Sequence, residues 1–240
     1  LPDCGHLQEE EARYANRHGF SKHAPALPLY SRADAELALR SFRPVEFARR
    51  IELGSELAFE LSPSGHILGS ASVALSAKGR SIVFSGDLGR RDDPIMRDPA
   101  TFQEADYLVI ESTYGDRLHA REDPATKLGE ILNRTFSRGG VVVIPAFAVD
   151  RTQTLLHYIA QLKAAGTIPR SVPVYLNSPM AANVTRIFLE HHAEHRLNGE
   201  QCAAMCGVAH IVNSVEESER LNTNSGPLVI SSASGMATGG

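Results

Sequence analysis

Apolar and polar positions alternate with a period of two at Leu57, Phe59 and Leu61, and short β-rich runs follow at 71–75, 81–84 and 107–110 with Gly, Pro and Asp between them. Such runs predict a sheet in the middle of the chain. Ahead of it, residues 8–18 carry acids in the first turn, Arg13, Arg17 and His18 toward the end, and Gly19 as a stop. That arrangement predicts a helix. Behind it the period changes. Asp123 and Pro124 supply a cap and a first-turn proline, and Leu128, Ile131, Leu132 and Phe136 share one face before Gly139. Residues 141–144 are a continuous apolar run, the form of a strand buried on both faces of a parallel sheet. Asp150 with Gln153 then reads as a capping box, opening a helix with a stripe of Leu155, Leu156, Ile159 and Leu162. A strand at 172–176, a helix at 181–195, a strand at 208–212, a short helix capped by Ser214 with Glu217, and a strand at 228–230 complete the pattern. Strands alternating with helices predict a mainly parallel βαβ module. The boundary between the two systems falls near 116–123.

Composition narrows the classes. The chain is 42% hydrophobic and 22% charged, as expected of a globular protein with a core. Twenty-four basic residues against 28 acidic ones give net −4, so any nucleic-acid contact is local. Three cysteines argue against a disulfide framework and for a reducing compartment, which sets the expectation of a cytoplasmic protein. Cys202 and Cys206 lie at helical spacing and are expected to be buried thiols. No apolar run approaches the ~20 residues needed to span a bilayer. The chain opens on Leu1 with no signal-like segment, which suggests a start internal to a longer polypeptide.

Candidate chemistry gathers at strand ends. His66 lies between Gly65 and Gly69, Asp87 closes Phe84-Ser85-Gly86-Asp87, and Glu111 ends the run 107–110. An imidazole and a carboxylate are two of the ligand types of a hydrolytic zinc site, and a carboxylate can bridge two metals. Each residue also has a plain alternative: a histidine in a tight turn, an aspartate in a Ser-Gly-Asp turn, a glutamate paired with Arg117. Glu111 could equally orient a histidine. Residues 231–240 follow a strand with small hydroxyl residues and glycines, a composition that suits a phosphate cradle or an ordinary loop. His191, His192 and His195 tempt a metal reading, but a solvated helix end is favoured. Arg40, Arg43, Arg49 and Arg50 read as a solvated face, with an RNA-contacting patch the minority reading.

Together these motifs resemble the metallo-β-lactamase-fold nucleases of the β-CASP family, which includes ribonuclease J-like enzymes, the endonuclease subunit of the pre-mRNA cleavage machinery, and prokaryotic RNA-processing exonucleases. The resemblance runs from Leu1-Pro2-Asp3-Cys4, which looks like the helix after the first metal-binding loop, through His66, Asp87 and Glu111. It continues through Ile144-Pro145-Ala146-Phe147 with Arg151-Thr152-Gln153, then Asn177-Ser178-Pro179-Met180, and ends in 230–236. It implies an α/β chain, a partial αββα metallo-β-lactamase domain at 1–116 and a parallel α/β β-CASP domain at 117–240. It implies His66 and Asp87 as metal ligands of a two-zinc centre, with Asp87 bridging. Asp87 and Glu111 are implied as catalytic, Glu111 orienting a histidine, and Ser232, Ser234 and Gly235 as substrate-binding. The family's His-x-His-x-Asp-His motif is expected ahead of Leu1, and two further histidine motifs beyond Gly240. Asp150 stands where a glycine is expected.

The function so implied is zinc-dependent hydrolysis of phosphodiesters in single-stranded RNA by the full-length protein. The 240 residues alone are expected to be inactive, no membrane partner is expected, and a homodimer is a candidate assembly. Rival readings are a non-catalytic RNA-binding or scaffold subunit of the same fold, and a metallo-hydrolase of small esters or thioesters. A nucleotide-binding domain is a third, disfavoured by the lack of a Walker lysine or a dinucleotide glycine fingerprint.

Overall fold

The computed structural model describes residues 1–119 and 121–232. They fall into two compact units, Leu1–Val45 and the chain from Glu46 onward. The first unit is helical. Helix α1 (Pro2–His18) begins six residues earlier than its charge pattern predicts, because Pro2 in the first turn is already set at a helical φ. It closes on Gly19 at φ 69°, whose amide donates back to the Ala15 carbonyl. Helix α2 (Arg32–Leu39), not foreseen, opens on a capping box between Ser31 and Asp34. Ala12 and Ala35 are the unit's buried apolar side chains among the described residues.

The second unit holds two sheets. Strands β1 (Ile51–Glu52), β2 (Leu57–Pro63), β3 (Ala71–Ala77), β4 (Arg80–Phe84) and β5 (Tyr107–Val109) lie side by side in chain order. They are antiparallel through β4, and β5 runs parallel to β4. The β3–β4 hairpin turns through Lys78 and Gly79, both at positive φ, the two-residue turn whose twist matches that of its strands. The other sheet contains β6 (Val141–Pro145), β7 (Val174–Asn177), β8 (His210–Ile211) and β9 (Leu228–Ser232), all parallel, in the order β6-β9-β7-β8. Helices α3 (Pro124–Phe136), α4 (Arg151–Ala164), α5 (Pro179–Glu190), α6 (Gly199–Gly207) and α7 (Val215–Leu221) are interspersed with these strands, α5 and α6 following one another between β7 and β8. Pro145, Asn177 and Ser232 pair at one edge, so the carboxyl ends of β6, β7 and β9 are flush. The chain is therefore mixed α/β, as expected.

The core belongs mainly to the parallel sheet. Leu132, Leu156, Ile159, Leu176, Phe188 and Val229 pack in it. Ile95 and Met96, from the long connection between β4 and β5, are buried in the same cluster. Around them Arg196 donates to the Met96 carbonyl at 2.6 Å and to Asp98 at 2.7 Å, while Arg97 donates to the His195 carbonyl at 3.0 Å.

Three local expectations need correction. Residues 141–144 do not form a strand buried on both faces. β6 is an edge strand, its residues alternate in exposure, and Val143 is 57% exposed. The helix expected at 181–195 ends at Glu190 with a non-helical cap at His191, so His195 lies beyond it. His195 is 1% exposed, stacked on Phe188, and no part of a solvated helix end. No helix among the described residues is long and apolar enough to cross a membrane.

Candidate active site

Two glycines decide how the loops after β2 and β4 meet. Gly65 has φ 68°, and a Cβ there would lie 2.5 Å from the Arg97 carbonyl oxygen. A Cβ on Gly89 would fall inside the Gly65 carbonyl. Only residues without side chains let the backbones cross so closely. Ser64, fully buried, donates from Oγ to the Asp87 carbonyl at 2.7 Å, and the Gly89 amide donates to the Ser64 carbonyl at 2.8 Å. Ser70 Oγ accepts from the amides of His66 and Ile67. The outcome is that His66 Nε2 faces Asp87 Oδ2 at 4.0 Å.

Glu111 follows β5 and joins this pair through backbone. Its amide donates to Ser85 Oγ at 3.0 Å, and its Oε1 accepts from the Leu88 amide at 2.9 Å, next to Asp87. Oε2 accepts from the Thr113 amide. The Leu88 donor, then Thr113, hold the carboxyl below its ordinary range, and the nearby His66 adds to this. Arg117 pairs with Asp116 instead. Glu111 thus fixes the Asp87 loop.

His66, Asp87 and Glu111 open onto a cleft of about 570 Å³. Its other wall comes from the start of α4: Asp150, Arg151, Thr154 and Tyr158. Arg90 and Asp93 line it as well. Asp150 does not form the predicted capping box. Its φ of 70° and ψ of −60°, with the Arg151 amide bonded to the Val149 carbonyl at 2.9 Å, describe a strained γ-turn. A capping carboxylate reaches the helix amides from extended backbone; this one makes no cap bond. Burial pushes its pKa up to about 6, with Asp93 adding to the rise and Arg151, His66 and Arg90 opposing it. Asp93, Thr154 and Tyr158 were not foreseen as site residues. The one sequence signal was position, since clefts of parallel sheets form beyond the carboxyl ends of their strands.

A divalent metal fits the His66–Asp87 pair on donor chemistry, since an imidazole nitrogen and a carboxylate oxygen converge at an accessible cleft wall. They make two donors where tetrahedral zinc takes four. A second cluster, His192, His195 and Cys202, brings possible ligand atoms within 4.8 Å of one another. It is committed to packing. His195 Nε2 bonds the Phe188 carbonyl and Nδ1 the Leu197 amide, and burial pushes the Cys202 thiol up. Ser232 ends β9, where its carbonyl accepts from the Ala146 amide; Ser234 and Gly235 lie outside the described residues.

A family model described as Beta-Casp domain matches residues 152–240. Ribonuclease TTHA0252 of Thermus thermophilus is 38% identical over 221 residues, 89% of this chain and 50% of the relative. An RNase J-like protein of Methanocaldococcus jannaschii is 30% identical over 219 residues, 88% of this chain and 50% of that protein. Cleavage and polyadenylation specificity factor subunit 3-I of Arabidopsis thaliana is 28% identical over 162 residues, 67% of this chain and 23% of that protein. The chain spans about half the length, or less, of these curated relatives. With its antiparallel sheet leading into a parallel α/β module, the chain belongs to the β-CASP family of the metallo-β-lactamase fold.

Proposed function

We propose that the whole protein is a zinc-dependent phosphodiester hydrolase acting on single-stranded RNA. The observation that carries this reading is the His66–Asp87 pair, held 4.0 Å apart at the wall of a cleft shared with α4. The relatives named as ribonucleases support RNA as the substrate. His66 and Asp87 hold metal, and Glu111 positions the Asp87 loop through the Leu88 amide. Bound zinc supplies Lewis acidity and lowers the pKa of water. Arg90 and Arg151 draw substrate phosphates into the cleft. Ser232, the last residue of β9, contacts substrate phosphate together with Ser234 and Gly235. We take residues 1–116 as the metallo-β-lactamase portion and 117–240 as the β-CASP portion. Supporting this division, the first sheet ends at Val109 and α3 begins at Pro124.

Replacing Asp87 with Ala in the whole protein is expected to abolish RNA cleavage and zinc retention together. Elemental analysis and a labelled-RNA cleavage assay read both, and cleavage at the wild-type rate would refute the assignment. Residues 1–240 alone, with two donors, are expected to show no turnover.

A further inference from the structure

Among the described residues, three side-chain atoms near the start of α4 are shut off from solvent and have no hydrogen-bond partner: Asp150 Oδ1, Gln153 Oε1 and Thr154 Oγ1. Asp150 and Thr154 are joined by the Thr154 amide, which donates to the Asp150 carbonyl at 2.9 Å, and both line the cleft that contains His66 and Glu111, whereas Gln153 does not. Thr154 is 4% exposed, so its hydroxyl is orphaned inside the protein. Buried polar groups without partners are rare in folded proteins because each carries its full desolvation cost. Here two of the three belong to residues that line one cleft, one of them already held at positive φ. Strain and unpartnered polarity at a cleft wall are the marks of a ligand-binding site.

The chemistry of the pair selects the ligand. A carboxylate oxygen needs a donor; a threonine hydroxyl can donate or accept. A ligand hydroxyl satisfies both at once, giving its proton to Asp150 and accepting from Thr154. A phosphate does not, because it brings only acceptors and meets the charges of Asp150 and Asp93; its partners in the cleft are Arg90 and Arg151. Along a nucleic-acid strand, the hydroxyl next to each phosphate is the 2′-hydroxyl of ribose, which DNA lacks. The terminal torsion of aspartate is soft, so a turn of the carboxylate exchanges its two oxygens at the wall.

We propose that Asp150 and Thr154 form a subsite that reads a ribose 2′-hydroxyl and sets the preference of this cleft for RNA over DNA. The proposal rests on the RNA-hydrolase reading above. Its test uses the zinc-loaded whole protein, a labelled single-stranded RNA oligonucleotide, the DNA of the same sequence, and RNAs carrying one 2′-deoxy position stepped along the strand. In the wild type, one deoxy position is expected to cost roughly tenfold or more in kcat/KM, the penalty of leaving a site's polar groups unpaired. Asp150→Ala and Thr154→Val are each expected to narrow the RNA-to-DNA ratio by about tenfold, and to make the sensitive deoxy position nearly silent.

Thr154→Val keeps the side-chain volume and removes an orphaned hydroxyl, so it is expected to melt no lower than wild type. That separates reading from folding. If the variants slow RNA and DNA cleavage equally, or still feel the deoxy substitution in full, the subsite does not exist. If the wild type cleaves no RNA, the hydrolase reading itself is overturned.

Discussion

The two sheets of the second unit differ in what they bury. The parallel sheet shares a cluster with Leu156, Ile159, Leu176 and Phe188, all almost inaccessible. The antiparallel sheet buries Ala58 and Val83, yet Phe84, Tyr107, Leu108 and Val109 on its last two strands are exposed. The proposed metal ligands stand on loops of the second kind. Rigidity and chemistry are thus divided: one region is a packed solid, and the other is a scaffold of short hydrogen bonds and glycine crossings that aims two side chains.

This division can be broken most forcefully from the packed side. Ile159→Ala is expected to lower unfolding stability by about 2–5 kcal/mol, because a methylene-lined void opens in a full core. Leu108→Ala, at 60% exposure, is expected to stay within about 0.5 kcal/mol. Chemical denaturation of both variants checks the contrast, and equal losses would erase it.

Two carboxylates facing one cleft sharpen the comparison through pH. Asp150 has a folded pKa raised to about 6, so the folded protein holds a proton there that the unfolded chain has already released. In metal-free protein its contribution to stability therefore falls as pH rises from about 4 to about 6, by about 3 kcal/mol in all. Asp150→Asn is expected to remove that slope. Glu111 works in the opposite sense. Its folded pKa is lowered, so its contribution is present above the ordinary carboxylate range and is lost as pH falls through the folded value. Thermal melts of wild type, Asp150→Asn and Glu111→Gln across about pH 3–8 would read the two slopes separately.

A narrower contrast compares one backbone conformation in two settings. Gly65 and Gly166 share φ near 70°, but a Cβ on Gly65 meets the Arg97 carbonyl while one on Gly166 meets nothing within 4 Å. Gly166→Ala is expected to cost about 1 kcal/mol for the left-handed conformation alone. Gly65→Ala should cost about 1–3 kcal/mol, and it should also displace His66 from Asp87. Metal affinity of the two variants in the whole protein distinguishes them.

The elements that carried their own local signal were legible. Period-two alternation located β2, and Asp123-Pro124 marked the start of α3. Glycines flanking His66 and preceding Asp87 signalled tight turns at strand ends, and the two side chains do converge. What failed was set by distant contacts. Asp150 with Gln153 spells a capping box, yet Asp150 sits in a γ-turn closed by the Arg151 amide on the Val149 carbonyl, and Gln153 instead donates to the Ala148 carbonyl and to Thr185. His195 continued a helical spacing from His191, but the chain leaves the helix at Glu190 and forms a bridge to Met96. Thr154 was invisible as a site residue because a threonine in an amphipathic helix is unremarked until its hydroxyl is found alone.

The burial of Ile95 and Met96 has a mechanical result. The polypeptide that leaves Asp87 is anchored, a few residues on, in the core of the parallel sheet, with Arg196 and Arg97 riveting the crossing. A change that loosens that distant interior would slacken the tether and let the aspartate drift, so substitutions far from the cleft can silence chemistry without touching a ligand.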